Sequence, residues 1–205
     1  MAQQIFPTKG NLINTKKSLD LARLGFDLLD RKRNILIREM MALIDKASDI
    51  QNKIDNTYSE AYLALQKANI TLGICDELAQ SVPVETGLTI QFRSVMGVEI
   101  PTVALDASPV ELHFGITDTN ALLDEAYLKF DKVKRLTAEL AEIENSVYRL
   151  ASAIRKTQKR ANALKNIMIP RFEYNVKFIT DALAEKERED FSRQKIIKQQ
   201  KNDKA

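Results

Sequence analysis

Residues 11–68 read NLINTKKSLDLARLGFDLLDRKRNILIREMMALIDKASDIQNKIDNTYSEAYLALQKA, and an uncharged, mostly apolar residue recurs every three or four positions. The series runs from Leu12 to Ala68, and Arg33 is its one charged member. A seam held for about eight heptads is typical of a coiled coil. No Gly or Pro interrupts residues 26–72. We therefore predict one continuous helix over residues 11–73, roughly 95 Å long at 1.5 Å per residue.

The C-terminal part of the chain carries a second seam. It runs from Leu136 to Met168 in steps of three and four and restarts at Phe172. A step of four after a step of four is a stutter, which predicts local unwinding of a left-handed supercoil. Pro170 lies at the same place and costs about 3 kcal/mol in a helix interior. We therefore expect a bend or a local straightening there.

Neither helix can bury its seam alone, so the simplest solution pairs the two within one chain. The predicted fold class is all-α dominated, a long antiparallel two-helix coiled coil with a short β-hairpin-containing insert at the far end. The N-terminal arm is 1–73, the insert 74–117 and the C-terminal arm 118–205, whose charged tail is expected to fray. A compact bundle of broken helices is the alternative. The seam residues expected to pack together are Leu36, Leu43, Ile50, Ile54, Leu140, Ile143, Val147, Leu150 and Ile154.

The insert contains LTIQFRSVMGVEIPTV, residues 88–103, in which β-branched residues alternate around a Met-Gly pair. This pattern predicts a β-hairpin with strands 88–95 and 98–105. Pro101 is best placed on a strand edge. A two-stranded hairpin is marginal alone, so it should lean on the helices or on another subunit. The hairpin residues singled out are Ile90, Phe92, Val95, Met96, Gly97, Val98 and Ile100.

The charges are unevenly distributed, although the net charge is only +3. Residues 149–172 contain seven Lys and Arg and no acidic residue, whereas residues 39–148 carry eighteen acidic and eight basic side chains. Such asymmetry describes partners and not a fold. With residue 73 opposite about 118, the basic residues 31–38 and 155–160 share one level, and nothing inside the chain is expected to neutralise them. A solvated basic face is the simpler explanation, and an acidic partner the sharper one.

An apolar set lies outside the seam of the first helix. Leu21, Leu28 and Ile35 repeat every seven residues, with Leu24 beside them. An exposed apolar stripe usually marks a contact site. We therefore expect the end of the molecule that carries both termini to be enclosed by another protein.

The sequence offers no catalytic or metal-binding motif of the common kinds. His113 is the single histidine, and Cys75 the single cysteine, so a reducing, cytoplasmic setting is expected. No apolar run is long enough to span a membrane, so no direct membrane insertion is expected. We expect no catalytic residue, no metal and no cofactor bound by this chain. A cytoplasmic coiled-coil scaffold and a basic nucleic-acid-binding coiled coil are the competing functions, although no aromatic stacking platform supports the latter.

Two terminal blocks carry a family resemblance. PTKGNLINTKKSLDLARLGFDLLDRKRNILIREM, residues 7–40, and RKTQKRANALKNIMIPRFEYNVKFITDALAEKEREDFSRQK, residues 155–195, closely resemble the D subunit of V/A-type ATPases. The resemblance implies the central rotor shaft of a rotary ATPase, a non-catalytic component that couples ATP hydrolysis or synthesis to ion translocation. It also implies a cytoplasmic position peripheral to the membrane.

The resemblance further implies particular partners. These are the alternating catalytic and nucleotide-site proteins of the ring (the A and B subunits), the F subunit on the exposed coiled coil, and the funnel-shaped subunit that links to the membrane rotor ring. ATP and Mg²⁺ would be bound by the ring and not by this chain, and nucleic acid is not expected as a partner. The residues expected to contact the catalytic ring are Leu21, Leu24, Leu28, Arg31, Arg155, Lys156, Lys159, Arg160, Lys165 and Arg171.

Overall fold

A computed structural model describes residues 6–105, 114–115 and 119–202. The elements follow the order α1 (Lys9–Leu72), α2 (Asp76–Gln80), β1 (Leu88–Val95), β2 (Val98–Leu105), α3 (Ala121–Ala163), a π-helical turn (Leu164–Met168) and α4 (Ile169–Asn202). His113 lies outside the described residues. The predicted fold class is confirmed, because long N- and C-terminal helices pack together and a two-stranded antiparallel hairpin lies between them in sequence.

Local chemistry accounts for the ends of the long helices. The Thr8 hydroxyl accepts a hydrogen bond from the Asn11 amide at 3.2 Å, so Thr8 is the N-cap of α1. Gly73 follows the helix with φ of +82°, the left-handed conformation that glycine adopts at no steric cost. The Asn120 side chain caps α3 by accepting from the Leu123 amide at 3.1 Å.

The chain divides into two compact units, which we call the terminal unit and the central unit. The terminal unit combines the described parts of Met1–Arg33 and Arg155–Ala205, and the central unit those of Asn34–Ile154. In the terminal unit, Lys9 pairs with Glu187 at 3.1 Å and Arg23 with Glu173 at 2.7 Å. The two terminal segments therefore run antiparallel, and the start of α1 lies beside the part of α4 around Glu187.

The central unit is antiparallel as well. Lys46 pairs with Glu139 at 3.0 Å, and the rings of Tyr62 and Phe130 meet edge to face at 5.6 Å between centroids. At the turn of the chain, the side-chain amide of Asn120 donates a hydrogen bond to the Thr71 hydroxyl at 2.7 Å. This last contact agrees with the register in which residue 73 faces about 118.

Two apolar clusters form the core of the central unit. One joins Ile50, Ile54 and Ile143, with Leu140 and Val147 packed against them. The other joins Leu36, Leu150 and Ile100, with half-buried neighbours that include Leu43 and Ile154. All nine seam residues singled out from the sequence thus lie in one cluster or both, together with three residues of the hairpin, Ile100, Val95 and Val98.

The hairpin has the predicted strand bounds, and Met96 and Gly97 form its turn with positive φ at both positions. Its placement differs from the expectation of an insert at the far end. The chain leaves α1 at Leu72, yet the hairpin folds back so that Ile100 packs against Leu36 and Leu150. A two-stranded hairpin needs an apolar surface to lie on, and this part of the helix pair provides one.

One face of α3 completes the outer edge of β2. Glu142 accepts from the Val103 amide at 2.7 Å, the Ser146 hydroxyl donates to the Pro101 carbonyl at 3.4 Å, and Arg149 donates to the Glu99 carbonyl at 3.3 Å. Helix spacing of four and three residues matches alternate positions of the strand. Pro101 therefore lies on an edge as predicted, where its missing N–H leaves no β1 partner unpaired.

The stutter near Pro170 is absorbed by the backbone. The Ile169 amide donates to the Leu164 carbonyl, five residues earlier, so one turn is π-helical. Pro170 has no N–H for an α-helical bond and its ring crowds the preceding turn, which a wider turn relieves. The structure thus has a π-helical turn at the place where a bend or a local straightening was expected.

The charged tail, which was expected to fray, is helical in the structure as far as Asn202. Glu, Lys, Arg and Gln are good helix formers. Ion pairs one turn apart add support, with Glu185 to Arg188 at 3.3 Å and Glu189 to Arg193 at 3.6 Å.

Candidate partner-binding site

The terminal unit contains every residue that the sequence analysis assigned to the catalytic ring. Leu21, Leu24 and Leu28, which we call the apolar strip, have 68%, 56% and 58% of their surface exposed. Such exposure is unusual for three leucines of one helix segment, and no other described part of the chain covers them. An apolar surface left open in this way is typical of a protein contact.

The basic residues of the same unit are also open to solvent. Arg155, Lys156, Lys159 and Arg160, which we call the basic surface, are all exposed on α3. Within the described residues none of the four has a carboxylate at ion-pair distance, and the same holds for Arg31 and Arg171. These charges are available to an acidic partner.

Two basic residues have partners within the chain. Arg33 donates to Asp30 at 2.6 Å and to the Gln158 side chain at 2.8 Å, which satisfies a charge located in the seam. The expectation that nothing inside the chain neutralises this level is therefore wrong for Arg33. Lys165 lies over the Phe26 ring, with its ammonium nitrogen 5.7 Å from the ring centroid.

Sequence reasoning missed a second exposed apolar set in the terminal unit. Ile167, Tyr174 and Phe178 have 63%, 71% and 48% of their surface exposed. Their spacing of seven and four residues was a signal that one helix face carries them. The change of seam frame beside Pro170 hid this signal, because it made Phe178 look close to a seam position.

The hairpin forms a second candidate surface, in the central unit. Ile90 and Phe92 are 57% and 58% exposed, and the Arg149 guanidinium lies 5.3 Å from the centre of the Phe92 ring. Arg93 pairs with Glu39 at 3.2 Å, which ties β1 to α1. An open groove of about 290 Å³ runs between the hairpin and α3 and is lined by Ile90, Phe92 and Glu142, among others.

The turn end of the central unit holds a cavity of about 380 Å³. It is lined mainly by apolar residues of α1, α2 and α3, including Leu65, Leu78 and Phe130. Cys75 is half-buried on its wall, and its thiol lies 3.5 Å from the Gly73 carbonyl.

Four ionisable residues of the central unit, Glu85, Asp131, Lys134 and Arg135, form one network of ion pairs. Lys134 of α3 lies 2.8 Å from Glu85 and 3.0 Å from Asp131. The hydrogen bond from Lys134 lowers the pKa of Glu85, and the Gly87 amide adds to the shift. Burial pushes the pKa of Asp131 upward, but hydrogen bonds from Lys134 and Arg135 outweigh it and the net pKa is lowered. The network fastens the segment before β1 to α3.

Among the described residues, no group of three or more His, Cys, Asp or Glu side chains could hold a metal ion. Within the same residues, no helix has the length and apolar character required to cross a membrane.

Comparison with known proteins identifies close relatives. A family model described as the D subunit of ATP synthase matches residues 11–199. The D subunit of a V-type ATP synthase from Thermotoga neapolitana is 46% identical over 95% of this chain and 97% of its own length. The D subunit of an A-type ATP synthase from Thermococcus kodakarensis is 36% identical over 94% of this chain and 92% of its own length. The corresponding protein of Pyrococcus horikoshii is 35% identical over 95% and 94%.

Proposed function

Because this chain belongs to the family of ATP synthase D subunits of V/A-type rotary ATPases, we propose that it is the central axle of such a complex. In this role it couples ATP hydrolysis or synthesis in the catalytic ring to ion translocation across the membrane. The observation that carries the proposal is the surface of the terminal unit. This antiparallel pair of helix segments exposes apolar side chains and basic side chains that have no carboxylate at ion-pair distance among the described residues.

The proposed partners follow from the surfaces and the family. The apolar strip and the basic surface contact the ring of A and B subunits, whose acidic loops attract the exposed arginines and lysines. The F subunit binds the exposed helix pair of the central unit, and the turn end seats in the funnel-shaped subunit above the membrane rotor ring. The complex is peripheral to the membrane on its cytoplasmic side.

The proposed mechanism requires no chemistry from this chain. ATP and Mg²⁺ are bound by the ring, and the axle changes which ring site is open or closed as it turns. This is a coupling of conformational populations at a distance, and each site biases the axle as much as the axle biases the site. Basic residues of one sign allow successive ring subunits to attract the same surface in turn.

The test is affinity purification of the tagged chain from native membranes, followed by identification of the proteins that accompany it. We expect the A and B ring subunits, the F subunit and the funnel-shaped subunit. A homodimer without ring subunits would support a coiled-coil scaffold instead. Recovery with nucleic acid, lost steeply as salt rises, would support the third function and contradict the axle.

A further inference from the structure

In the terminal unit, the seam residues of the two helix segments follow different spacings along the sequence. On α1 the steps from Leu12 to Leu36 alternate strictly between three and four. On the partner, the same alternation from Leu136 to Met168 would place position 178 in the seam. The structure instead buries Ile179 completely and leaves Phe178 48% exposed. The segment between Leu164 and Ile179 therefore contains one residue more than the heptad requires.

The π-helical turn accommodates this extra residue. An α-helix advances by about 100° per residue, so one added residue would otherwise rotate Ile179 out of the seam. The hydrogen bond from the Ile169 amide to the Leu164 carbonyl spans five residues in place of four, so the extra residue is accommodated within a single turn. The seam consequently faces α1 on both sides of the turn.

Packing of the helix pair does not require the extra residue. None of the five residues of the turn is buried, and Pro170 beside it is exposed. Without the extra residue, Phe172, Val176 and Ile179 would fall on ordinary heptad positions and still face α1. The ion pairs beyond the turn, Arg23–Glu173 and Lys9–Glu187, are exposed and contribute little to stability.

The turn does create a distinctive surface. Ile167 is 63% exposed and lies in sequence between Lys165 and Arg171, which are both exposed. In the described chain neither cation has a carboxylate at ion-pair distance. Removal of one residue before Ile167 would rotate its side chain by about 100° relative to Leu164, so the turn decides where Ile167 points.

We propose that the π-helical turn is a contact point for an acidic loop of the catalytic ring. An apolar side chain of that loop packs on Ile167, and its acidic groups pair with Lys165 and Arg171 on either side. This inference rests on the proposed function and adds a specific determinant to it. Charge complementarity selects the partner, because one exposed apolar side chain is flanked by two cations, Arg171 and the Lys165 that lies over the Phe26 ring, and neither has a carboxylate at ion-pair distance among the described residues. The extra residue is kept for this contact and not for the stability of the helix pair.

The test compares three variants of the full chain. Deletion of Asn166 combined with Pro170→Ala returns the seam to matched heptads and removes the turn without leaving a proline ring in an α-helical interior. Asn166→Ala combined with Pro170→Ala keeps the residue count, and Ile167→Ala keeps the turn but removes the apolar contact. We expect all three to keep the helix content and the thermal midpoint of the unmodified chain. We expect the deletion and Ile167→Ala to weaken binding to the purified A and B ring by roughly tenfold, within the range of interface side-chain truncations. Asn166→Ala combined with Pro170→Ala should bind as the unmodified chain does.

The outcomes separate the two proposals. If the unmodified chain does not bind the ring, the axle function fails. If it binds but either the deletion or Ile167→Ala binds equally well, the contact point is wrong and the axle stands. A large loss of thermal midpoint in the deletion variant would also overturn the inference, because the turn would then be a packing requirement. Weakened binding by Asn166→Ala combined with Pro170→Ala would overturn it as well.

Discussion

Leu36 and Leu28 lie on the same helix but in opposite environments, which separates folding from recognition. Leu36 is fully buried against Leu150 and Ile100, whereas 58% of the Leu28 surface is exposed. Truncation of a buried leucine removes apolar contacts and leaves a cavity. Truncation of an exposed one removes little from the folded chain.

We predict that Leu36→Ala lowers the free energy of unfolding by about 2–5 kcal/mol, measured by urea denaturation. Leu28→Ala is the matched control and should stay within about 0.5 kcal/mol of the unmodified chain. If the two variants lost equal stability, Leu28 would be a packing residue and the apolar strip would lose its functional meaning.

The basic surface, together with Lys165 on the π-helical turn, leads to a prediction for assembly. Reversal of Lys159, Arg160 and Lys165 to Glu should weaken binding to the A and B ring, and the difference from the unmodified chain should shrink as salt screens the charges. Affinity measured over a salt series checks this. Reversal of Lys53 and Lys132, exposed residues of the central unit, is the control and should leave ring binding unchanged. A salt-independent difference would count against an electrostatic contact.

At the scale of elements, the hairpin is a cover for the helix pair as well as a surface of its own. It contacts α1 through Leu36 and Glu39, and α3 through Glu142, Ser146 and Arg149. These contacts are added to helices that already pair with each other. The helices should therefore survive without the hairpin, although with less stability.

We predict that replacement of Leu88–Leu105 by a flexible linker preserves the helical circular-dichroism signal but lowers the thermal midpoint. The burial of Ile100 alone contributes about 1.5–3 kcal/mol that the variant lacks. The same variant should alter coupling or its regulation in the assembled complex. A collapse of the helical signal would mean that the hairpin is needed to form the helix pair.

The segment between α2 and β1 is held by a pH-dependent contact. The pKa of Glu85 is lowered by its bond to Lys134, and the pKa of Lys134 is raised, first by Glu85 and then by Asp131. The Glu85 contribution is complete above its unfolded pKa of about 4.5 and is lost as pH falls through the lowered folded value. The Lys134 contribution is complete below about 10.5 and is lost as pH rises through its raised folded value.

We therefore predict that the Gly87 amide, which donates to the Glu85 carboxylate at 3.0 Å, loses hydrogen-exchange protection in acid, after correction for intrinsic exchange. Glu85→Gln removes the titrating group and should show weak protection that changes little over the acid range. An acid response in that variant as large as in the unmodified chain would assign the effect to another group, such as Asp131.

At the scale of the whole molecule, the proposed axle function requires transmission of torque, for which pairing of the helices is the expected source of stiffness. We predict that Gly at Leu43, Ile50, Ile143 and Val147 reduces ATP-driven ion pumping relative to ATP hydrolysis by roughly twofold or more, because Gly in a helix interior adds backbone freedom and the seam loses its contacts. The ratio of pumping to hydrolysis in reconstituted vesicles measures it. Full coupling in this variant would contradict the mechanism.

The sequence by itself determined the features that depend on local periodicity. The heptads predicted the long helices, and the Met96-Gly97 turn with its alternating flanks predicted both strands, because spacing and turn chemistry act within a few residues. The exposed Leu21, Leu24 and Leu28 were visible in the same way. The family resemblance came from the terminal blocks and is confirmed over almost the whole chain.

Only the tertiary structure decided where these elements meet. The return of the hairpin to Leu36 and Leu150 depends on which surface is free to cover Ile100, and the hydrogen bond that Arg33 donates across the helix pair depends on Gln158 of another helix. Each is a contact between residues distant in sequence, so its free energy is absent from any local pattern.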